Sequence, residues 1–308
     1  MIENSCKIAV LIPCYNEEVT VSKVVNDFRQ ALGSADIYVY DNNSTDATVE
    51  KATQAGAIVR SEATQGKGNV VRRMFADIEA DIYVLVDGDD TYPASDAVAM
   101  IERLRQQQLD MVIGKRCAQD GAYRAKHAGG NVMFNQIVQR LFQRGMSDIF
   151  SGYRVFSHRF VKSFPAVSRG FEIETELSVH VLETNIPFTE MDVNYSARPE
   201  GSQSKLNTYQ DGLRILLMIV KLLQQVKPLK FYSAFSVLLM ATALILGYPL
   251  IAVWLETGLV PRIPTAIIVM GLLVFSLILF NCGLILEGVS GLRKETKRLR
   301  YLRFKAPQ

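Results

Sequence analysis

Three carboxylates, Asp87, Asp89 and Asp90, fall within four positions at the end of the apolar run "YVLVDGDDTYP" (83–93). Like charges this close repel and perturb one another's ionisation, so a fold that needed only solubility would spread them out. The D-x-D pair Asp87 and Asp89 makes a hard oxygen site, of the kind that Mg2+ or Mn2+ uses to bridge a diphosphate. The divalent charge removes the repulsion and is then available to departing phosphates. A solvated acidic turn is the plainer reading of a lone D-x-D, so its surroundings must decide.

Those surroundings are strands and helices in alternation. "KIAVLIP" (7–13), "ADIYVYD" (35–41), "AIVR" (57–60), "DIYVLVD" (81–87) and "MVIG" (111–114) read as strands rich in Val, Ile and Tyr. Between them, "TVSKVVNDFRQAL", "DATVEKATQAG", "GNVVRRMFADIEA" and "SDAVAMIERLRQQQ" carry apolar residues three or four apart, the helical spacing. This alternation predicts an α/β fold, a parallel sheet covered by helices on both faces. Ligands of such sheets sit beyond the carboxyl ends of the strands. There the chain places "PCYNEE", "DNNSTD" and "DGDD", so the acids stand where a ligand would bind. Two commoner phosphate devices are excluded. "SEATQGKGN" has Ser61 at the first glycine position of a Walker loop and Gly68 where Ser or Thr is required. No G-x-G-x-x-G follows the first strand.

Composition sets the outer bounds. The 308 residues are 49% hydrophobic and 21% charged, enough for a sizeable core, and the net charge of +3 is too small to argue for nucleic acid. Cys6, Cys14, Cys117 and Cys282 show no C-x-x-C spacing, which argues against a disulfide framework or zinc site and fits a reducing compartment. The opening "MIENSCKIAVLIP" reads as a first strand and not as a signal peptide.

"IPCYNEE", "DNNSTDAT", "QGKGN" and "VDGDD", in this order, resemble family-2 inverting glycosyltransferases with a nucleotide-diphospho-sugar transferase (Rossmann-like) fold. "SGYRVFS", "GFEIETELS" and "YSARPEGSQSK" narrow the resemblance to the polyprenyl-phosphate glycosyltransferases, the group of dolichol-phosphate mannose synthase, over roughly residues 7 to 210. The resemblance implies that Pro13, Tyr15 and Glu17 cradle the base and ribose of a nucleotide sugar, with Asp41 contacting either. It places Lys67 along the nucleotide, with glycines on both sides permitting close backbone approach, and Asp87, Gly88 and Asp89 at the donor diphosphate. Asp87 and Asp89 would hold the metal. Asp41 also reads as the turn-forming residue of "DNNSTD", and Asp90 as a cap for the helix near Ser95.

For the acceptor, the resemblance implies contacts from Arg116 and Arg124 to a lipid phosphate, a role that suits bidentate guanidinium groups. Lys115 replaces the usual serine of that motif. Ser151, Gly152 and Arg154 match a loop near the sugar, although Arg154 could instead pair with an acid such as Asp148. An acid near the acceptor nucleophile matches Glu176, with Glu174 second; Glu172 and Glu176 share a helix face and Glu174 points elsewhere. Arg198, Ser204 and Lys205 would belong to a loop that closes on both phosphates. An acceptor phosphate is already anionic, so Asp89, Glu176, Glu174 and Arg154 are expected to position and stabilise charge, with any base role secondary.

Past this region the hydrophobicity concentrates. Phe231–Leu255 and Ile263–Leu286 carry no charged residue, and each, as a helix, is about 36 Å long, enough to cross a hydrocarbon core of about 30 Å. The expected organisation is a glycosyltransferase domain over 1–206, an interfacial amphipathic helix over 207–230, and two transmembrane helices within 231–290 (about 231–255 and 263–287). A basic tail over 291–308 follows. Seven Lys or Arg lie after Leu292 and only Arg262 lies in the connecting loop, which places the catalytic part and C-terminus in the cytoplasm at the inner (plasma) membrane. The tail is also expected to meet anionic headgroups.

The expected reaction moves a hexose from UDP-glucose or UDP-N-acetylglucosamine, with GDP-mannose as an alternative, onto a polyprenyl phosphate with inversion, using Mg2+ or Mn2+. The partners are then a nucleotide diphosphate sugar, the lipid and the bilayer, with no nucleic acid; self-association into a homo-oligomer stays open. An enzyme of the same fold acting on a lipid hydroxyl, and a membrane-tethered nucleotide-binding protein, are the rival readings.

Overall fold

The computed structural model describes residues 6–118, 145–170, 172–199, 217, 220–260 and 262–307. Strands β1 (Ile8–Cys14), β2 (Asp36–Asp41), β3 (Ile58–Ser61), β4 (Ile82–Leu85) and β5 (Met111–Ala118) form where the apolar runs predict them. Helices α1 (Val21–Leu32), α2 (Thr48–Gln54), α3 (Lys67–Asp77) and α4 (Ser95–Gln106) fill the intervals. In α1 the buried residues are Val21, Val24, Val25 and Phe28, a spacing that keeps one face against the sheet. Ala9, Val10, Leu11 and Ile12 of β1 have no exposed surface, as expected of a strand covered on both faces.

The sheet runs β3-β2-β1-β4-β6-β5-β7, and two of these strands were not anticipated. β6 (Arg154–Ser157) lies inside "SGYRVFS", and β7 (Phe188–Tyr195) pairs in parallel with β5. β6 runs antiparallel between β4 and β5, so the sheet is mixed and not parallel throughout. Four residues starting with an arginine give little strand signal, and their burial comes from neighbours distant in sequence. Two further helices, α5 (His158–Ser163) and α6 (Ile173–Thr184), follow β6. The parallel register Cys14↔Asp41 and Leu11↔Leu85 brings the carboxyl ends of β2, β1 and β4 to one edge.

The chain divides into two compact units, Met1–Ile215 with Lys297–Gln308, and Leu216–Thr296. The second contains α7 (Pro228–Thr257) and most of α8 (Ile263–Tyr301), both long and apolar enough to cross a membrane. Ser236 and Ser276 lock the pair: each hydroxyl donates to the other's carbonyl, at 2.8 and 2.9 Å. Glu287 accepts from the Leu229 N–H at 3.1 Å, satisfying a donor in the first turn of α7. Elsewhere these helices expose large apolar residues such as Leu244, Ile245, Trp254 and Phe275, far more than a water-soluble surface carries. α7 starts at Pro228, inside the segment expected to be interfacial; of that segment 207–216, 218 and 219 lie outside the described residues.

The basic tail differs from its expectation. α8 stays helical to Tyr301, and the residues from Lys297 onward pack in the first unit. The Tyr301 hydroxyl donates to Asp110 Oδ2 at 2.7 Å, and Arg159 lies over the Tyr301 ring at 4.3 Å. Lys297 pairs with Glu183 at 2.8 Å, and Arg298 donates to the Thr184 carbonyl at 3.2 Å. Asp110 has no exposed surface and also accepts from Ser157 and Arg159. A buried carboxylate needs such partners, which explains why this end of the chain is docked.

Candidate active site

The loops after β1 and β2 form one stitched unit. Asn16, with a left-handed φ of 53°, accepts from the Thr45 N–H at 2.8 Å, and its own N–H donates to Ser44 Oγ at 2.9 Å. Glu17 N–H donates to Thr48 Oγ1 at 2.8 Å. Asp41 accepts from its own turn, at Ser44 N–H, and is buried. The turn-forming reading of Asp41 therefore holds here, and the neighbouring Asn42 faces the ligand side instead. Its amide also ties this edge to the next loop: Nδ2 donates to the Glu62 and Thr64 carbonyls, and Oδ1 accepts from Gly66 N–H at 2.6 Å.

These loops wall a cleft of about 430 Å3 lined by Pro13, Tyr15, Glu17, Lys67, Asp87, Gly88 and Asp89. Of the residues expected at a nucleotide sugar, Asp41 alone is missing from the lining. Cys14, Asn42, Gln65, Gly66, Val70 and Arg198 complete it. A larger cleft of about 620 Å3, beside α1 and α4, is lined by Lys23, Asp27 and Asp90 among others. Its acids are already matched, because Lys23 pairs with both Asp27 and Asp90. Asp90 adopts a φ of 58°, and α4 has Ala94 at its N-cap, so the expected capping role is not the one observed.

Close packing holds the two D-x-D carboxylates. A Cβ on Gly88 would lie 2.7 Å from Cys14 Sγ, so only glycine lets this turn settle on β1. A Cβ on Gly152 would lie 2.3 Å from Asp87 Oδ2, which gives the glycine of "SGYR" its purpose. Asp89 is buried; Oδ1 accepts from Thr91 Oγ1 at 2.6 Å, and Oδ2 pairs with Arg198 at 2.5 Å. Burial, and then the neighbouring Asp87, push the Asp89 carboxyl above the usual range.

Lys67, the first residue of α3, lies 2.5 Å from both Asp87 Oδ1 and Glu174 Oε1. Burial alone would lower its pKa, but the two carboxylates outweigh burial and raise it. The glycines flanking Lys67 admit protein backbone. Cβ atoms on Gly66 and Gly68 would lie 2.2 Å from Arg169 O and 2.4 Å from Ser168 O. Gly68 N–H donates to Gly170 O at 3.1 Å, which seats the 168–170 loop against α3. Glu176 holds the other side of that loop, accepting from Val167 and Ser168 N–H at 2.9 and 2.7 Å. The expected order of the two glutamates is thus reversed: Glu174 reaches the cleft through Lys67, and Glu176 shapes a loop.

Arg154 is also corrected. It has no exposed surface, and its guanidinium donates to Ile149 O at 2.6 Å, Ser151 O at 2.9 Å, Glu174 O at 3.0 Å and Ser178 Oγ at 2.9 Å. Burial pushes its pKa down to about 10, so it is charged at neutral pH. It anchors the start of α6 and lines neither of the two clefts. Asp148, its suggested partner, belongs to Arg116 instead, through two bonds of 2.7 Å. Arg116, expected at the acceptor phosphate, therefore faces a carboxylate of its own domain. Arg198 sits on Asp89, inside the same cleft. Arg124, Ser204 and Lys205 lie outside the described residues.

Among the described residues no three His, Cys, Asp or Glu side chains gather to hold a metal ion unaided. Two carboxylates still suit Mg2+ or Mn2+, which commonly take one or two from the protein and the remainder from water and substrate phosphates. The donor set fits.

A mixed α/β sheet with an acidic cleft at the carboxyl ends of its parallel strands defines a nucleotide-diphospho-sugar transferase fold. A solved glycosyltransferase has it too: glucosyl-3-phosphoglycerate synthase from Mycobacterium tuberculosis, in complex with Mn2+, UDP-glucose and phosphoglyceric acid, aligns with a TM-score of 0.58 at 20% identity over 71% of this chain and 79% of that one. Residues 9–164 match the family model for glycosyl transferase family 2. Glycosyltransferase AglJ of Haloferax volcanii is 32% identical over 96% of this chain and 98% of its own. The dolichol-phosphate mannosyltransferase of Pyrococcus furiosus is 26% identical over 70% of this chain and 64% of its own. The chain belongs to glycosyltransferase family 2.

Proposed function

We propose that this glycosyltransferase moves a hexose from a nucleotide diphosphate sugar to a polyprenyl phosphate at the cytoplasmic face of a membrane, inverting the anomeric carbon. The observation that carries the reading is that one chain joins the Asp87–Asp89 cleft to two helices of membrane-spanning length and composition. Its likeness to a dolichol-phosphate mannosyltransferase supports a lipid phosphate acceptor. UDP-glucose or UDP-N-acetylglucosamine is the favoured donor, and the UDP-glucose complex of the solved relative supports that choice.

In this reading Pro13, Tyr15, Glu17 and Asn42 take the nucleoside, and Lys67, Gly88 and Arg198 lie along the diphosphate. Asp87 and Asp89 would hold Mg2+ or Mn2+, which would supply positive charge at the diphosphate. A phosphate acceptor needs no general base. The two candidate glutamates fit that economy, since Glu174 is paired with Lys67 and Glu176 is bonded to main chain. The basic C-terminal end packs in the catalytic unit, which supports placing both on the cytoplasmic side, as the excess of Lys and Arg there also suggests.

The test is to incubate the purified full-length protein with a panel of nucleotide sugars and polyprenyl phosphate, then extract the lipid. A metal-dependent glycosyl phospholipid from one donor is expected. Transfer to a lipid alcohol, with none to the phosphate, would replace this reading with the hydroxyl-acceptor alternative.

A further inference from the structure

Both D-x-D carboxylates are already paired with cations of the chain: Asp87 with Lys67, and Asp89 with Arg198, each at 2.5 Å. Lys67 is shared with Glu174, also at 2.5 Å. All three acids and the lysine are largely buried, with side-chain exposures of 30% for Asp87, 6% for Asp89, 7% for Glu174 and 10% for Lys67. Charge attraction is therefore only partly screened in this cluster.

We infer that Lys67 and Arg198 are internal counter-ions that keep Asp87 and Asp89 from holding a divalent cation alone, and release them when a donor diphosphate offers both side chains another anion. The inference rests on the nucleotide-sugar reading above. Its logic is charge conservation in a desolvated place. Three carboxylates and two cations leave the cluster with one net negative charge. A divalent cation by itself would invert that sign and would have to break two close ion pairs. The diphosphate of a nucleotide sugar carries about two negative charges and that of UDP about three, so the ion and the diphosphate together leave the cluster anionic as before and give Lys67 and Arg198 new partners. Glu174 completes the device. Its backbone is fixed by Arg154, and its carboxylate keeps Lys67 paired while the ammonium turns from Asp87.

The measurement is direct Mn2+ binding to the full-length protein in detergent, read by electron paramagnetic resonance with and without UDP. The natural chain should bind Mn2+ weakly alone and at least tenfold more tightly with UDP. Arg198→Gln should tighten Mn2+ binding without UDP by about tenfold and shrink the effect of UDP. Lys67→Met should do the same at Asp87; because Lys67 is buried, the partly exposed Arg198 provides the variant that is safer for folding. Unchanged or weaker Mn2+ binding without UDP in a folded Arg198→Gln protein would overturn the inference while leaving the nucleotide-sugar reading intact. Tight Mn2+ binding by the natural chain without nucleotide would do likewise. Failure of the natural chain to bind Mn2+ even with UDP would overturn both.

Discussion

The Arg116 guanidinium holds the Asp148 carboxylate through two parallel hydrogen bonds of 2.7 Å, with Tyr195 packed against its face at 5.6 Å. Both side chains are mostly buried, at 14% and 11% exposure. Removing one partner of such a pair strands the other charge and costs about 3 kcal/mol, whereas removing both costs less. Arg116→Ala should therefore lower stability by about that amount, and Arg116→Ala with Asp148→Ala should recover part of it. Denaturant unfolding of the two single variants and the double variant checks this. Strictly additive losses would show that the pair is not coupled.

Gly68→Ala should leave the sheet folded but displace the 168–170 backbone, because the added methyl would meet Ser168 O at 2.4 Å. Lys67 sits beside that contact, so kcat/KM should fall by at least tenfold. Circular dichroism and donor kinetics together test the claim, and an active Gly68→Ala enzyme would show that the loop can give way freely.

His180 adds a pH dependence. Its ring is buried edge-on against Phe160 and Phe164, neither ring nitrogen has a hydrogen-bond partner among the described residues, and burial, with Lys297 adding to it, pushes its pKa down to about 3. The ordinary value is about 6.5, so the unfolded chain takes up a proton that the folded chain refuses. The stability this neutral ring supports is present above pH of about 6.5 and is lost as the pH falls toward 3, at up to about 1.4 kcal/mol per unit. His180→Phe should flatten that part of the stability curve. Identical acid slopes in the natural and His180→Phe chains would contradict the assignment.

Tyr301→Phe should cost about 1 kcal/mol by removing the hydroxyl that donates to buried Asp110. The loss should appear in the unfolding of the catalytic unit. No change there would mean that the docked C-terminal end contributes nothing to it.

The strand-end acids were legible in the sequence because a buried strand ending in clustered carboxylates is costly without a ligand. Asp87 and Asp89 line the cleft as that reading expects, and Glu17 and Lys67, expected there from the family resemblance, line it too. Arg154 was not legible. A charged residue in "SGYRVFS" reads as a loop residue, and its carbonyl partners come from Ile149, Ser151 and Glu174 only once the fold is formed. Periodicity placed Glu174 and Glu176 on different faces of α6 but could not tell which face meets α3. The glycines beside Lys67 signalled close approach correctly. What approaches is Ser168 and Arg169, eighty-odd positions beyond the active-site strand β4, and local spacing carries no trace of them.

In the proposed reaction Asp89 is a ligand-side carboxylate. The decisive measurement is transfer of labelled hexose into extractable polyprenyl phosphate lipid by the full-length Asp89→Asn protein, compared with the natural chain at equal folded amounts. The expected result is loss of at least a hundredfold in transfer by protein that still unfolds cooperatively, because the change removes a charge at the cleft and leaves the apolar core intact. Near-normal, metal-dependent transfer by Asp89→Asn would contradict it.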